Sequence, residues 1–160
     1  MFETQVRLAR PHDEERVRRF LTGLSLHTQT LRFFTGVTTP ATSLVRALLA
    51  VDERRDALVA EVGGEIVGHA MSYRGGGADV EIAIVVADQW QGMGIGTRLF
   101  DALLHRAATR GATTVGMDVL GENRKVLELI RKTWPDAKMK VSSGSVEVVA
   151  MIQQAGVFAE

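Results

Sequence analysis

Residues 80–100, VEIAIVVADQWQGMGIGTRLF, constrain this chain more than any other stretch. Residues 82–87 are apolar throughout and rich in β-branched side chains, as in a strand covered on both faces. From Thr97 onward, Leu99, Phe100, Leu103 and Leu104 form one stripe of a helix. Between strand and helix, Gly92, Gly94 and Gly96 occupy alternate positions. A strand that ends in a glycine-rich turn and feeds a helix aims backbone N–H groups and a helix N-terminus at one point. That arrangement binds anions. The rest of the chain must supply a sheet to flank this strand and helices to cover it.

The flanking segments meet that requirement. Residues 4–9 alternate in polarity and read as a short strand with one wet face, ended at Pro11, which cannot donate to a ladder. Asp13 is placed to N-cap a helix reaching about Leu24, and Ser25 to cap a second over residues 26–34. A turn-rich connector, 36–40, leads to a third helix over 43–50, with Thr42 or Ser43 as cap. From Ala57 the period becomes two. Residues 57–62 and 65–73 are strands joined by Gly63-Gly64, a hairpin signal, and a second turn at 75–79 leads into the central strand. After the glycine turn come a long helix ended by Gly111, a strand over 113–120, and a helix over 124–132 opened by Asn123 and stopped at Trp134-Pro135. A hairpin over 138–142 and 146–152 follows, then a surface tail over 153–160. The order implies an α+β fold with a mixed, mostly antiparallel sheet flanked by helices, in a single domain spanning 1–160.

Totals exclude several functions. The 160 residues are enough to bury a core without disulfides or metals. Nineteen basic and nineteen acidic residues cancel, so no overall charge favours nucleic acid or an anionic membrane. The absence of cysteine removes disulfides, thiolate metal sites and a cysteine nucleophile. No apolar run reaches the roughly 18 residues of a spanning helix, and no signal-like segment opens the chain; a cytoplasmic protein is expected. His12, His27, His69 and His105 share no ligand spacing, so no metal is expected. Each reads as structural, although His69 lies on a strand that could line a cleft.

The loop itself admits three readings. A Walker A loop needs a lysine after its last glycine, but Thr97 and Arg98 follow Gly96. A dinucleotide fingerprint needs G-x-G-x-x-G after a parallel unit, but Thr97 stands at the third position and hairpin strands precede it. The remaining pattern is Gln-x-x-Gly-x-Gly, filled by Gln91, Gly94 and Gly96. With its strand and helix, it resembles the cofactor loop of the GNAT superfamily of acyl-CoA-dependent N-acyltransferases. VRLARPHD at the start resembles that family's first strand and turn. Residues 57–73 resemble its second and third strands, and Gly121-Glu122-Asn123 resembles the segment whose Asn contacts the cofactor. LRFF at 31–34, DALVA at 56–60, and VEIA at 80–83 with Trp90-Gln91-Gly92 are similar to the catalytic domain of bacterial protein-lysine acetyltransferases.

The resemblance implies a function. Acetyl-CoA is the expected co-substrate, without a metal, and the acceptor is a primary amine on a protein lysine or a small molecule. A splayed pair of strands would admit the pantetheine arm beside Ile84, Val85 and Val86. Backbone groups of Gln91, Gly92, Met93, Gly94, Ile95, Gly96 and Thr97 would hold the pyrophosphate, and Asn123 would touch the cofactor further along. Glu81 falls where the subfamily has its general base, and the N–H of Val85 or Val86 would polarise the thioester carbonyl. The family often has a Tyr general acid at the position of Ile130; the only Tyr here is Tyr73. Trp134-Pro135 stands where the family often has Gly-Phe. A cofactor-binding sensor without turnover is the alternative. The resemblance allows a homodimer, and acceptor choice would rest on residues 25–40, including the apolar Phe33 and Phe34, and on 140–146.

Overall fold

A computed structural model describes residues 3–152. Seven strands form one sheet: β1 (Thr4–Leu8), β2 (Arg55–Val62), β3 (Glu65–Gly75), β4 (Ala78–Val86), β5 (Thr114–Leu120), β6 (Lys138–Ser142) and β7 (Ser145–Met151). Their order is β1-β2-β3-β4-β5-β7-β6. Every neighbouring pair is antiparallel except β4 and β5, which run parallel because a helix carries the chain between them. The helices are α1 (Glu14–Gly23), α2 (Leu26–Phe33), α3 (Thr42–Ala47), α4 (Ile95–Thr109) and α5 (Arg124–Thr133). The expected element order holds throughout the described residues. The tail at 153–160 lies outside them.

Each face of the sheet has its own core. On one, Leu99, Phe100, Leu103 and Leu104 of α4 and Leu127 and Ile130 of α5 pack against Leu58, Ala60, Ile82 and Val115. On the other, Val17, Phe20 and Leu21 of α1 and Val45 and Leu48 at α3 pack against Ala57, Val59 and Val85. Full burial of one such large side chain contributes about 1.5–3 kcal/mol. Trp134 ends α5 by packing edge-on against Phe100, with ring centroids 5.2 Å apart. Strand β4 is thus flanked on both faces, as its continuous apolar run implies.

Three local expectations are corrected. Asp13 does not cap α1 with its side chain. Its carboxylate, wholly buried, accepts from Arg7, from Arg16 and from the Arg10 amide. The Arg7 guanidinium holds that carboxyl far below the usual carboxylate range. The polar face of β1 is therefore wet only at Gln5, which is exposed, because Arg7 is enclosed between Asp13 and Glu61. Helix α3 is shorter than predicted and is preceded by Ala41, with no side-chain cap from Thr42 or Ser43. By contrast Ser25 does cap α2, its Oγ accepting from the Thr28 amide at 3.1 Å.

Candidate active site

The one parallel pair in the sheet opens the site. Strands β4 and β5 are in register only at Val80 with Val115 and at Glu81 with Gly116. Beyond that point β4 stays on β3 and β5 stays on β7, so a wedge opens between them. The cleft beside β4 has a volume of about 480 Å³, with Ile84, Val85, Val86, Gln91, Gly92, Gly94, Gly96, Thr97 and Asn123 in its lining. Thr28, Leu31 and Arg32 of α2 and Lys125 and Lys132 of α5 line it too. A wider, open concavity at Asp52–Arg55 and Tyr73 has neither the glycine loop nor a helix N-terminus. The chemistry belongs to the cleft.

Its loop end is made of main chain. The Ala87 amide donates to the Val67 carbonyl at 2.8 Å. Alternation along the antiparallel ladder then turns the Val85 N–H toward β3 and those of Ile84 and Val86 toward the gap. A hydrogen bond from Gln91 Nε2 to the Val86 carbonyl, 3.0 Å, lies on the same gap side. Gln91 Oε1 accepts from Lys125 Nζ at 2.9 Å, so this side chain braces β4 against α5. Gly94 adopts φ +82° just before α4, and a Cβ there would meet nothing within 4 Å. The amides from Gly92 to Thr97 donate to no carbonyl among the described residues. Unpartnered amides, a bare glycine surface and the Lys125 ammonium fit an anionic diphosphate such as that of coenzyme A. Asn123 lines the same cleft and caps α5, its Oδ1 3.5 Å from the Val126 amide. Met93 is exposed on the loop, whereas Ile95 is buried beneath it.

The fork end is made of side chains. Tyr73, Glu81 and Gly116 are register partners across β3, β4 and β5. A Cβ on Gly116 would lie 2.9 Å from Glu81 Cδ, so the missing side chain makes room for the carboxylate. Desolvation raises the Glu81 pKa, and Asp118 and Glu147 push it the same way. His69 does not line the cleft. It is buried, with Nε2 2.7 Å from the Leu48 carbonyl, and its pKa is pushed down to about 4, first by burial and then by Arg32. Ile130 is wholly buried in the core under α5. Phe33 packs at the edge of the α1 core, while Phe34 ends α2 in a left-handed conformation and is exposed.

The sequence reading missed Arg32, Lys125 and Gly116. An isolated glycine within a β-branched strand was the available signal for Gly116, since such glycines mark close approach. Among the described residues no group of His, Asp or Glu could hold a metal ion. No helix of the described residues is long and apolar enough to cross a membrane.

A family model, the Acetyltransferase (GNAT) family, matches residues 24–133. The chain belongs to this family and has its fold, and it is an acyltransferase of the acetyl-CoA-dependent kind. Among solved structures it is similar to the GNAT domain of S. lividans PAT, with TM-score 0.84 and 24% identity over 92% of this chain and 90% of that one. It is similar to yncA of Salmonella typhimurium, solved with its cofactor acetyl-CoA, with TM-score 0.71, 18% identity and 94% of each chain covered. A cAMP-binding acyltransferase from Mycobacterium smegmatis matches with TM-score 0.61 and 25% identity, over 93% of this chain and 44% of that one.

Proposed function

We propose that this chain, acting as a single catalytic domain, moves an acetyl group from acetyl-CoA to a primary amine by direct attack, with Glu81 as general base. The observation that carries this reading is the fork. The wedge between β4 and β5 opens at Glu81, and the unpartnered amides lie at its other end. The loop amides of residues 92–97 would hold the pyrophosphate while Gln91, whose own amide donates to the Asp88 carbonyl, braces the loop; Ile84, Val85 and Val86 would flank the pantetheine arm, and Asn123 would contact the cofactor beyond it.

An alkylamine near neutral pH is protonated, since its pKa is about 10.4. Glu81 takes a proton from it, directly or through one water, and its raised pKa improves it as an acceptor. The amine nitrogen bonds to the thioester carbonyl carbon, gives up its second proton to solvent, and the carbon–sulfur bond breaks to release CoA as thiolate. Of the two candidate oxyanion donors, Val86 is favoured because its N–H faces the gap; a donor of this kind contributes about 2.7–4 kcal/mol. Ile130 can supply no proton to the leaving sulfur. We assign that step to solvent, because a thiol of pKa about 8.5 leaves readily as thiolate.

Thiol release from acetyl-CoA, measured across a panel of amines and lysine peptides, tests the reading. Release that depends on amine and falls in Glu81→Gln supports it. Saturable acetyl-CoA binding with no release for any acceptor would replace it with the sensor reading, which the apolar Ile130 favours.

A further inference from the structure

Arg32 is a cation in the cleft wall without an anion of its own. Among the part-buried arginines elsewhere, Arg7 and Arg16 meet Asp13 and Arg106 and Arg110 meet Asp56, while Arg74 donates to the Arg110 carbonyl. Arg32 instead places Nη2 3.2 Å from the thioether sulfur of Met71 and its guanidinium carbon 4.5 Å from the centre of the Phe33 ring. Its Nε is buried and has no hydrogen-bond partner among the described residues. A thioether is a weak acceptor, and a half-buried cation with a buried N–H left so poorly compensated is costly. Burial lowers its pKa to about 10, so it remains charged at neutral pH.

The position of this cation is fixed. Asp88, just after β4, accepts from the Ser25 amide, Ser25 Oγ and Thr28 Oγ1, which ties the start of α2 to the cofactor loop. Arg32 in the last turn then lies over Met71 of β3. Met71 and Tyr73 point to one face of that strand, and their partners on β4 are Ala83 and Glu81. Met71 and Tyr73 are one pleat repeat apart, about 7 Å. So the Arg32 guanidinium, which donates hydrogen bonds, lies over Met71, one pleat repeat along β3 from the position paired with the Glu81 carboxylate, which accepts them.

We propose that Arg32 binds a carboxylate carried by a substrate of this enzyme. Resting on the acetyl-transfer reading above, the inference names the chemistry that reading leaves open. The carboxylate belongs either to the acceptor, an aminocarboxylate whose amine reaches Glu81, or to a dicarboxylic acyl chain. In both cases the planar guanidinium would exchange a thioether for a charge-assisted hydrogen bond.

The test compares the wild type with Arg32→Met and Arg32→Lys. Kinetics use amine pairs that differ by one carboxylate, such as lysine and pentane-1,5-diamine, and the acyl donors acetyl-CoA and succinyl-CoA. The wild type should prefer the carboxylated member of one series by roughly 10- to 100-fold in kcat/KM, mainly through KM. Arg32→Met should lose that preference and Arg32→Lys should recover part of it, with CoA affinity by calorimetry unchanged in both. A preference in the acceptor series assigns the carboxylate to the amine substrate, and one in the donor series assigns it to the acyl chain. Equal preference in wild type and Arg32→Met, or weaker CoA binding in Arg32→Met, would overturn the inference. A second measurement needs no turnover: glutarate should shift the Arg32 Nε–Hε NMR signal saturably in the wild type, and absence of a shift counts against the site. If glutarate shifts that signal while no amine is acetylated, the acetyl-transfer reading fails and the carboxylate site stands.

Discussion

The two ends of the cleft are built from different materials. At the loop end the groups that face a ligand are mostly amides, supplied by one continuous segment around Gly94. At the fork end they are side chains from separate elements: Glu81 on β4 and Arg32 on α2, with Gly116 of β5 giving the carboxylate its room. Main-chain donors suit a ligand part that never changes, and they tolerate almost any side chain that stays out of the way. Side-chain donors suit the part that distinguishes one substrate from another. The fork end should therefore govern turnover and choice, and the loop end affinity for the cofactor.

Substitutions that separate those two properties test the contrast. Glu81→Gln should give the largest effect, a fall in kcat of about 10²- to 10⁴-fold, with acetyl-CoA affinity in calorimetry held within about twofold. The pH profile gives the same group a second signature. Glu81 accepts a proton only when ionised, and its pKa is raised, so kcat/KM should climb with pH through a value above the ordinary carboxylate range. Glu81→Gln should flatten that limb, and an unchanged limb would assign it elsewhere.

Gly94→Val attacks the other end. Its φ of +82° disfavours a β-branched residue, and the added side chain would enter space that the protein leaves empty. Acetyl-CoA affinity should fall by roughly 100-fold, read by calorimetry; unchanged affinity would remove the pyrophosphate from this loop. Gly116→Ala is a sharper probe of the fork. The new methyl displaces the flexible end of Glu81 rather than backbone, so the fold should survive. Such a shift of a reacting group costs about 10- to 100-fold in kcat, and acetyl-CoA binding should not follow. Matched losses in both quantities would show that the two ends are not separable. The smallest change is expected for Lys125→Met, which removes one cation and its bond to Gln91. Acetyl-CoA affinity should weaken a few-fold, less at high salt, because the pair is exposed and screened.

The contrast also explains what could be read beforehand. The loop was legible because glycine spacing, an apolar strand and an amphipathic helix are adjacent in sequence, as were the hairpin at Gly63-Gly64, the Ser25 cap and the stop at Trp134. Asp13 misled because a capping residue and a buried ion-pair partner have the same side chain. Only the approach of β1 and β2 decides that Arg7, held also by Glu61, comes to meet it. Thr42 and Ser43 misled for a related reason, since a good capping type does not ensure a capping geometry.

By itself the sequence determined the element order, the anion-directed loop and the family, because each depends on local periodicity or on backbone freedom over a few adjacent residues. The tertiary structure decided how the sheet forks after Glu81, which β4 amides face the gap, and that Arg32, 49 positions before Glu81 in the chain, lies over Met71, one pleat repeat along β3 from the partner of Glu81. Those facts depend on strand register and on the packing of α2 against the sheet. Long-range pairing fixes both, and no local pattern encodes it.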